Sequence, residues 1–375
     1  MQAFPQLTVD GEIVVASSTA SQSRGPHGAF RYFGKLAPDV TGAVLDLALT
    51  EIGNPARARV LDPMCGSGTT LLEAQARGAE STGTDVNPVA LLYAAVKTRS
   101  VDEKLTGVLT DMVADRERWR PDTETVFRAT RNAERWFTPT AKYEVAGMLS
   151  VIDSFEGCRE KDFLRAVLLS RLRRISNASA RTGRIFYDPN SARPAVDEFL
   201  SGVREVLPRT PSRDIECELL LRDARLPSGV SRNDVVFIHP PYFALYRYSS
   251  DVLRFEMEIG GYSRRDTARA EIAEGWKSGD PANLDAHVAD MRAIFASAAK
   301  SLRPGGVVSL VASNSTLGDT QLPVIDRLAD AGMDVGLRVV KHFVRRAHHG
   351  SASYHRSARP DKVIHQDHVL LLRLR

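Results

Sequence analysis

The chain of 375 residues contains few cysteines and no long hydrophobic run. Its three cysteines, at positions 65, 158 and 217, form no Cys-x-x-Cys pair, which excludes a disulfide framework and a cysteine-based zinc site and favours a reducing compartment. The longest apolar runs, such as 89–96, are shorter than the ~18 residues of a membrane-spanning helix, and the N-terminus reaches Asp10 without a secretory signal pattern. These absences predict a cytoplasmic protein without a membrane segment.

A large excess of one charge sign is also absent. Fifty lysines and arginines face 46 aspartates and glutamates, and the resulting net charge of +4 says nothing by itself about a nucleic-acid partner. With 43% hydrophobic and 26% charged residues, the composition is that of a folded globular protein and excludes disordered and collagen-like classes. The length favours one large domain with an insertion, or two domains.

A glycine-containing loop lies between a short strand pattern at 59–61 and a helix pattern at 69–77. The loop reads Asp-Pro-Met-Cys-Gly-Ser-Gly-Thr-Thr at 62–70, and a second strand pattern at 80–84 ends at Asp85. Strand, glycine loop, helix, strand and terminal acid predict half of a doubly wound α/β sheet. Taken alone, the loop is also compatible with a structural turn.

Two features missing from this loop narrow its ligand. Leu71 stands where the dinucleotide fingerprint needs its third glycine, and no Gly-Lys-Ser/Thr follows, so the ligand is predicted to lack a pyrophosphate. Asp85 closes the second strand, where an acid can bind two ribose hydroxyls. The pattern therefore favours a nucleoside.

A second motif, His239-Pro240-Pro241-Tyr242-Phe243, follows the apolar strand pattern at 234–238. Carboxyl ends of parallel strands face the ligand crevice, so the motif is expected beside the glycine loop. Prolines donate no backbone hydrogen bond and leave their carbonyls as acceptors. A carbonyl and residue 239 suit the two N–H groups of an amino group, with Tyr242 stacked on a flat base. The alternative is a structural Pro-Pro turn with core aromatics.

The intervening segment carries helical periodicity with almost no strand signal. The α/β alternation then resumes in strand patterns at 216–221, 234–238, 307–312, 334–344 and 368–374. The predicted organisation is a polar N-terminal arm (1–30), a catalytic domain (31–98 and 213–375) and a helical insertion that serves as a nucleic-acid recognition lobe (99–212).

Together, the motifs at 62–70 and 239–242 resemble the S-adenosylmethionine-dependent amino methyltransferases that act on nucleic-acid bases, most of all the DNA N-4/N-6 methylase family. The resemblance spans roughly 30–98 and 213–375. It implies an α/β fold with a Rossmann-like, mainly parallel sheet of about seven strands and an inserted helical lobe. It also implies S-adenosylmethionine as the cofactor and methyl transfer to adenine N6 or cytosine N4 in DNA.

The resemblance assigns roles residue by residue. The catalytic residues it implies are His239, Pro240, Pro241 and Tyr242. The cofactor-binding residues it implies are Lys35, Asp62, Pro63, Cys65, Gly66, Ser67, Gly68, Thr69, Asp85, Val86, Asp223 and Ala224. His239 departs from the Asp, Asn or Ser usual before Pro-Pro-Tyr; a neutral imidazole still accepts a hydrogen bond, but the usual link to the choice of base is lost.

A base inside a duplex cannot reach such a pocket, so the expected partner is double-stranded DNA with a flipped target base, with a restriction or defence system as a possible associate. Seven arginines and one acid lie between 165 and 193, a stripe that suits phosphate contact or, alternatively, a solvated helix face. The i, i+3 spacing puts Arg171 and Arg174 on one face, with Arg173 turned away. Candidate nucleic-acid contacts are Phe243, Arg171, Arg174, Arg181, Arg184, Arg345 and Arg346. No metal site is predicted, because the histidines between 342 and 355 lack accompanying cysteines or a carboxylate cluster.

Three alternatives remain open. The loop at 62–70 also resembles tRNA guanosine N2 methyltransferases, which favours an RNA base as substrate. The other two are a protein or small-molecule N-methyltransferase, and a DNA-binding relative that has lost its chemistry, with His239 as the lesion.

Overall fold

The computed structural model describes residues 7–15, 23–181, 184–227, 229, 232–242, 248–272, 282–317, 320–346 and 366–375. Its strands are β1 (Gly11–Glu12), β2 (Arg59–Asp62), β3 (Glu80–Asp85), β4 (Ala178–Arg181), β5 (Arg184–Tyr187), β6 (Cys217–Leu221), β7 (Asn233–Ile238), β8 (Leu302–Ala312), β9 (Ser315–Leu317), β10 (Thr320–Leu322), β11 (Leu337–Arg346) and β12 (Gln366–Leu374). Its α-helices are α1 (Pro38–Glu51), α2 (Thr69–Ala76), α3 (Pro88–Thr98), α4 (Glu103–Ala114), α5 (Thr123–Phe127), α6 (Ala133–Trp136), α7 (Pro139–Ser154), α8 (Arg159–Ile175), α9 (Ala195–Val206), α10 (Arg254–Ile259), α11 (Arg264–Ala270), α12 (Ala282–Ser301) and α13 (Val324–Met333). Short 3₁₀ helices span Gly25–Gly28, Arg116–Arg118 and Leu207–Arg209, and a π-helical turn spans Tyr248–Val252.

Eight strands form one sheet in the order β1-β11-β12-β8-β7-β2-β3-β6. Strand β12 is antiparallel to both of its neighbours, and the other neighbouring pairs of this sheet are parallel. The prediction of a mainly parallel Rossmann-like sheet is confirmed. The described sheet has eight strands rather than about seven because the two-residue strand β1 pairs with β11 at the edge.

The central strand β7 is buried along its whole length and shows how the sheet joins two apolar layers. Because alternate side chains of a strand point to opposite faces, Val235 and Phe237 join one layer while Val236 and Ile238 join the other. The first layer is completed by α1, and the second by α12 and α13. Parallel pairing of β2, β3 and β7 brings their carboxyl ends to the same edge of the sheet.

The helices between β3 and β6 build a third apolar layer. Phe163 of α8 and Phe199 of α9 are fully buried there, together with Tyr93 of α3 and Phe255 of α10. This core also contains Phe30, which lies within the segment predicted as a polar arm. The helical segment is therefore packed directly on α3, the helix that follows Asp85.

Several described elements were not predicted, among them β1, β9, β10, α10 and α11. Strands β4 and β5 form an antiparallel hairpin in the segment expected to be helical, and α13 lies between β10 and β11. The apolar residues of Ala-Ser-Ala-Arg are only alanines, and Arg-Ile-Phe-Tyr does not alternate, so neither strand of the hairpin carries a strong strand pattern. Among the described helices, none combines the length and apolar character needed to cross a membrane.

Candidate active site

A cavity of about 820 Å³ opens where the carboxyl ends of β2, β3 and β7 meet. This volume is in the range of ligand and cofactor sites. All four residues 239–242 line it, as do all the predicted cofactor residues except Gly68. The topology thus brings together two motifs that are far apart in the sequence.

The glycine loop follows β2 and leads directly into α2. Gly66 and Gly68 have φ values of +50° and +81°, which favour glycine. A Cβ on Gly66 would lie 3.2 Å from Tyr32 Cε1, and one on Gly68 would lie 3.1 Å from Ala94 Cβ. The absence of a side chain at Gly66 therefore leaves space next to Tyr32 in the cavity. The absence of one at Gly68 lets the N-terminus of α2 pack against α3.

Two acids flank this loop, of which Asp62 is buried and Asp85 is partly exposed. The backbone N–H groups of Gly66 and Asn87 donate to separate oxygens of Asp85, at 2.9 and 2.8 Å, and burial raises the pKa of Asp85 to about 6. Asp62 accepts a 3.0 Å bond from the Met64 N–H, and burial raises its pKa to about 7. A carboxylate accepts about four hydrogen bonds, so Asp85 keeps acceptor capacity for a ligand.

His239 lines the cavity and carries an unsatisfied polar atom. Its Nε2 is buried and has no hydrogen-bond partner among the described residues. Its ring meets that of Tyr242 edge-on, with centroids 5.2 Å apart. Burial lowers the pKa of His239 to about 4, and the nearby Asp367 charge opposes this only in part. The imidazole is therefore neutral at pH 7.

Tyr242 is held by a residue that the sequence analysis missed. Its hydroxyl donates a 2.9 Å hydrogen bond to Asp367 Oδ1, which also accepts a 2.9 Å bond from Ser313. Arg345 forms an ion pair with the other carboxylate oxygen. Asp367 gives no local signal in the sequence, because only the pairing of β12 with β8 and β11 brings it to the cavity.

The sequence analysis also missed Tyr32, Tyr248 and Glu271, which line the cavity. Tyr32 stacks on Tyr248 with ring centroids 5.9 Å apart. Glu271 accepts a 3.0 Å bond from Asn87 Nδ2 and two bonds from Ser249. The segment after the His-Pro-Pro-Tyr motif is thereby tied to the residue that caps α3, next to Asp85.

Two lysines lie in this region of the structure, one lining the cavity and one in contact with the glycine loop. Lys35 lines the cavity and donates a 2.8 Å bond to the His27 carbonyl, and burial lowers its pKa to about 8. Lys97, on α3, is completely buried and donates a 3.3 Å bond to Ser67 Oγ. A lysine in the apolar sequence of α3 is the signal that would have identified it, since lysine is almost never fully buried without a role.

The predicted nucleic-acid residues differ in their surroundings. Arg171 is buried and forms a 2.8 Å ion pair with Glu205 of α9, which corrects its expected role as an open phosphate contact. Gly202 makes room for it, because a Cβ there would lie 2.7 Å from Arg171 Nε. Arg174 is exposed, lines the cavity and lies 3.5 Å from Glu198.

Arg345 and Arg346 belong to β11, because β12 pairs with this strand up to its last residue. Arg345 is buried against Asp367, and Arg346 lies on the surface 3.5 Å from Glu12. Phe243, the side chains of Arg181 and Arg184, and the basic connection 347–365 lie outside the described residues.

No family model matches the chain. Over 67 residues it is 36% identical to the Type II methyltransferase M.MvaI of Kocuria varians, and over 97 residues it is 33% identical to the Type II methyltransferase M.MjaII of Methanocaldococcus jannaschii. The alignments cover 18% and 26% of this chain, and 15% and 17% of the relatives, so the matched part spans about a sixth of either relative. Part of this chain is therefore similar to part of each of these Type II methyltransferases.

Solved structures align with the chain only at low TM-scores. An S-adenosylmethionine-dependent methyltransferase from Clostridium acetobutylicum aligns with a TM-score of 0.36 at 8% identity, covering 91% of this chain and 93% of that one. The rRNA methyltransferase aviRa from Streptomyces viridochromogenes aligns with a TM-score of 0.34 at 13% identity, covering 91% and 88%. Likeness at this level carries no information about substrate.

The residues that line the cavity fit S-adenosylmethionine. Asp85 has acceptor capacity for ribose hydroxyls, and Gly66 leaves space in front of Tyr32 that a Cβ would fill. Asp223 and Ala224 follow the carboxyl end of β6 and line the same cavity as Lys35. Cys65 is buried, and burial raises the pKa of its thiol, so it is a packed side chain rather than a nucleophile.

Proposed function

We propose that this protein transfers a methyl group from S-adenosylmethionine to the exocyclic amino group of adenine (N6) or cytosine (N4) in DNA. One observation carries the proposal: His239, whose buried Nε2 has no partner among the described residues, lines the same cavity as Pro240 and the residues that fit the cofactor. An unpaired buried acceptor costs about 1–3 kcal/mol, which a bound amino group would recover.

The chain's contribution is positioning. S-adenosylmethionine, when bound, supplies an electrophilic methyl group. The Nε2 atom of His239 accepts one hydrogen of the amino group and the Pro240 carbonyl accepts the other, which aims the nitrogen lone pair away from the ring. Tyr242 offers its face to the base, and its hydroxyl stays on Asp367. Fixed orientation of this kind accounts for a large share of enzymatic rate enhancement.

DNA is the favoured substrate because both curated relatives are named Type II methyltransferases, although each is matched over only part of its length. The base would be flipped from the duplex into the cavity. In this proposal 31–98 and 213–375 form the catalytic domain, and 99–212 contacts the nucleic acid. A restriction or defence partner is compatible with the same role.

The test is methyl transfer from labelled cofactor to duplex DNA of mixed sequence, with tRNA and a protein extract as parallel acceptors. Digestion to nucleosides and mass spectrometry should reveal N6-methyladenine or N4-methylcytosine, and the His239→Ala variant should lose it. Methylated guanosine in tRNA, or label only in protein, would overturn the proposal in favour of another acceptor. Cofactor binding without transfer to any of the three would indicate an inactive relative.

A further inference from the structure

The cavity extends beyond the residues assigned to cofactor and base. On the side of the helical segment it is lined by Arg31, Phe33 and three arginines of α8, namely Arg171, Arg173 and Arg174. Both Arg31 and Phe33 lie outside the motifs at 62–70 and 239–243. Arg193, Glu205 and Glu256 also line the cavity, so arginines outnumber carboxylates among these residues.

Phe33 brings two of these side chains together. The guanidinium carbon of Arg31 lies over its ring, 4.7 Å from the centroid, and that of Arg173 lies over the same ring at 5.7 Å. Both contacts are cation–π attractions, which are stronger when water is excluded. Phe33 thus contacts two like charges and neutralises neither.

The neighbouring carboxylates form no ion pair with Arg31 or Arg173 in the described part of the chain. Arg31 has no ion pair with a described residue, whereas Glu205 pairs with Arg171 and Glu198 with Arg174. Buried Glu256 is close enough to act on Arg173, but no ion pair joins the two side chains within the described part of the chain, and burial raises the pKa of that carboxyl.

One nitrogen of the Arg173 guanidinium group has no hydrogen-bond partner among the described residues. Its Nη2 donates a 3.3 Å bond to the Asp251 carbonyl, while its Nε is buried and has no hydrogen-bond partner in the described ranges. Burial, and then the charges of Arg173 and Arg174, lower the pKa of Arg31. Arg31 is exposed and Arg173 is partly buried. An anion bound to both would relieve the repulsion between their charges.

We infer that Arg31 and Arg173, supported by Phe33, form an anion subsite that binds a backbone phosphate of the nucleic-acid substrate next to the target nucleotide. The inference rests on the proposed function, since it assigns the substrate contact of the same cavity. Guanidinium groups bind phosphate with several charge-assisted hydrogen bonds. The cofactor's carboxylate is not needed to explain them, because Lys35 already supplies a cation on the segment that leads to the loop.

The subsite also has a positional consequence. Arg31 and Phe33 lie just before Lys35, on the segment that lines the cofactor cavity, while Arg173 lies on α8 of the helical segment. A phosphate bound between them would connect the substrate to both parts of the protein. It would position the nucleotide without reading sequence, because phosphates carry no base information.

The experiment measures binding of a fluorescent DNA duplex at several salt concentrations for the wild type, Arg31→Gln and Arg173→Gln. Arg338→Gln is the matched control, because Arg338 is exposed at the start of β11, near the opposite edge of the sheet. Each test variant should lower the slope of log K against log salt by about one unit, uniformly across duplex sequences, while the control keeps the wild-type slope. Calorimetry should show cofactor affinity within about twofold of wild type in all variants.

Three results would overturn the inference. These are an unchanged slope in both test variants, a loss of cofactor affinity without a change in slope, and a wild type that binds no nucleic acid. Thermal unfolding and cofactor titration confirm that the variants are folded. The proposed function is judged separately on the wild type: if it binds duplexes with the Arg31-dependent slope but methylates no base, the proposed function fails and the phosphate subsite stands.

Discussion

The hydroxyl of Tyr242 donates a 2.9 Å hydrogen bond to Asp367, 125 residues later in the chain. The carboxylate is itself held by Ser313 and Arg345. The Tyr242 ring, which we propose to stack on the target base, is therefore oriented by β12, the last strand in the chain. The motif that contains Tyr242 follows β7.

Asp367→Asn should lower kcat by at least about fivefold, or roughly 1 kcal/mol, with cofactor affinity unchanged. The amide weakens the bond to the phenol and leaves Arg345 without its buried counter-charge. Tyr242→Phe, which removes only the hydroxyl, is the matched control and should reproduce the kcat effect without loss of stability. Steady-state kinetics together with urea unfolding separate the two contributions. Full kcat in Tyr242→Phe would mean that the bond does not orient the ring.

His239→Ala should lower methyl transfer at least about tenfold, about 1.4 kcal/mol. Since burial lowers the pKa of His239 to about 4, the imidazole keeps its acceptor Nε2 at pH 5.5–8 and loses it only as the pH approaches 4. The ratio of wild-type to variant kcat should therefore stay flat across that range and decline below it. His239→Asn restores an acceptor that does not titrate and should retain more activity than the alanine variant. A ratio that declines near pH 6.5 would show that the imidazole is solvated.

Asp85→Asn should weaken binding of S-adenosylmethionine by about 1.5–3 kcal/mol through loss of charge-assisted bonds to the ribose. Because burial raises the pKa of Asp85 to about 6, wild-type affinity should fall as the pH drops from 8 to 5 and the carboxylate becomes protonated. Calorimetry across this range tests both statements. Burial also raises the pKa of Asp62, to about 7, so Asp62→Asn is the control that separates its titration from that of Asp85. If Asp85→Asn bound the cofactor with the wild-type pH dependence, Asp85 would not contact the ribose.

Lys97→Met should change stability in a pH-dependent way. Burial lowers the pKa of Lys97 well below its value in the unfolded chain, so the unfolded state binds more protons and wild-type stability rises with pH. The methionine variant lacks this titration and fills a similar volume. Between pH 7 and pH 9.5, the free energy of unfolding measured in urea should therefore increase more for the wild type than for the variant. An equal difference at both pH values would mean that the buried amine remains charged.

Local sequence was sufficient for much of this protein. The apolar runs and terminal glycines predicted β2, α2, β3 and β7 within one or two residues, because short-range sterics and alternating burial determine those elements. The two motifs also predicted the cavity, since parallel strands must place their carboxyl ends together. No such local rule covers the β4–β5 hairpin.

Tertiary packing decided which charged side chains meet the cavity. Arg171 and Arg174 share a helix face, yet one is buried against Glu205 and the other is exposed, because α9 covers only part of that face. Arg345 becomes a buried partner of Asp367 through strand pairing, and Arg31 and Arg173 contact the same Phe33 ring although they are distant in the sequence. The sequence by itself determined the α/β sheet and the two motifs at its carboxyl edge, since both depend on short-range rules. The partners of each ionisable group depend on contacts between distant segments, so only the folded structure decided them.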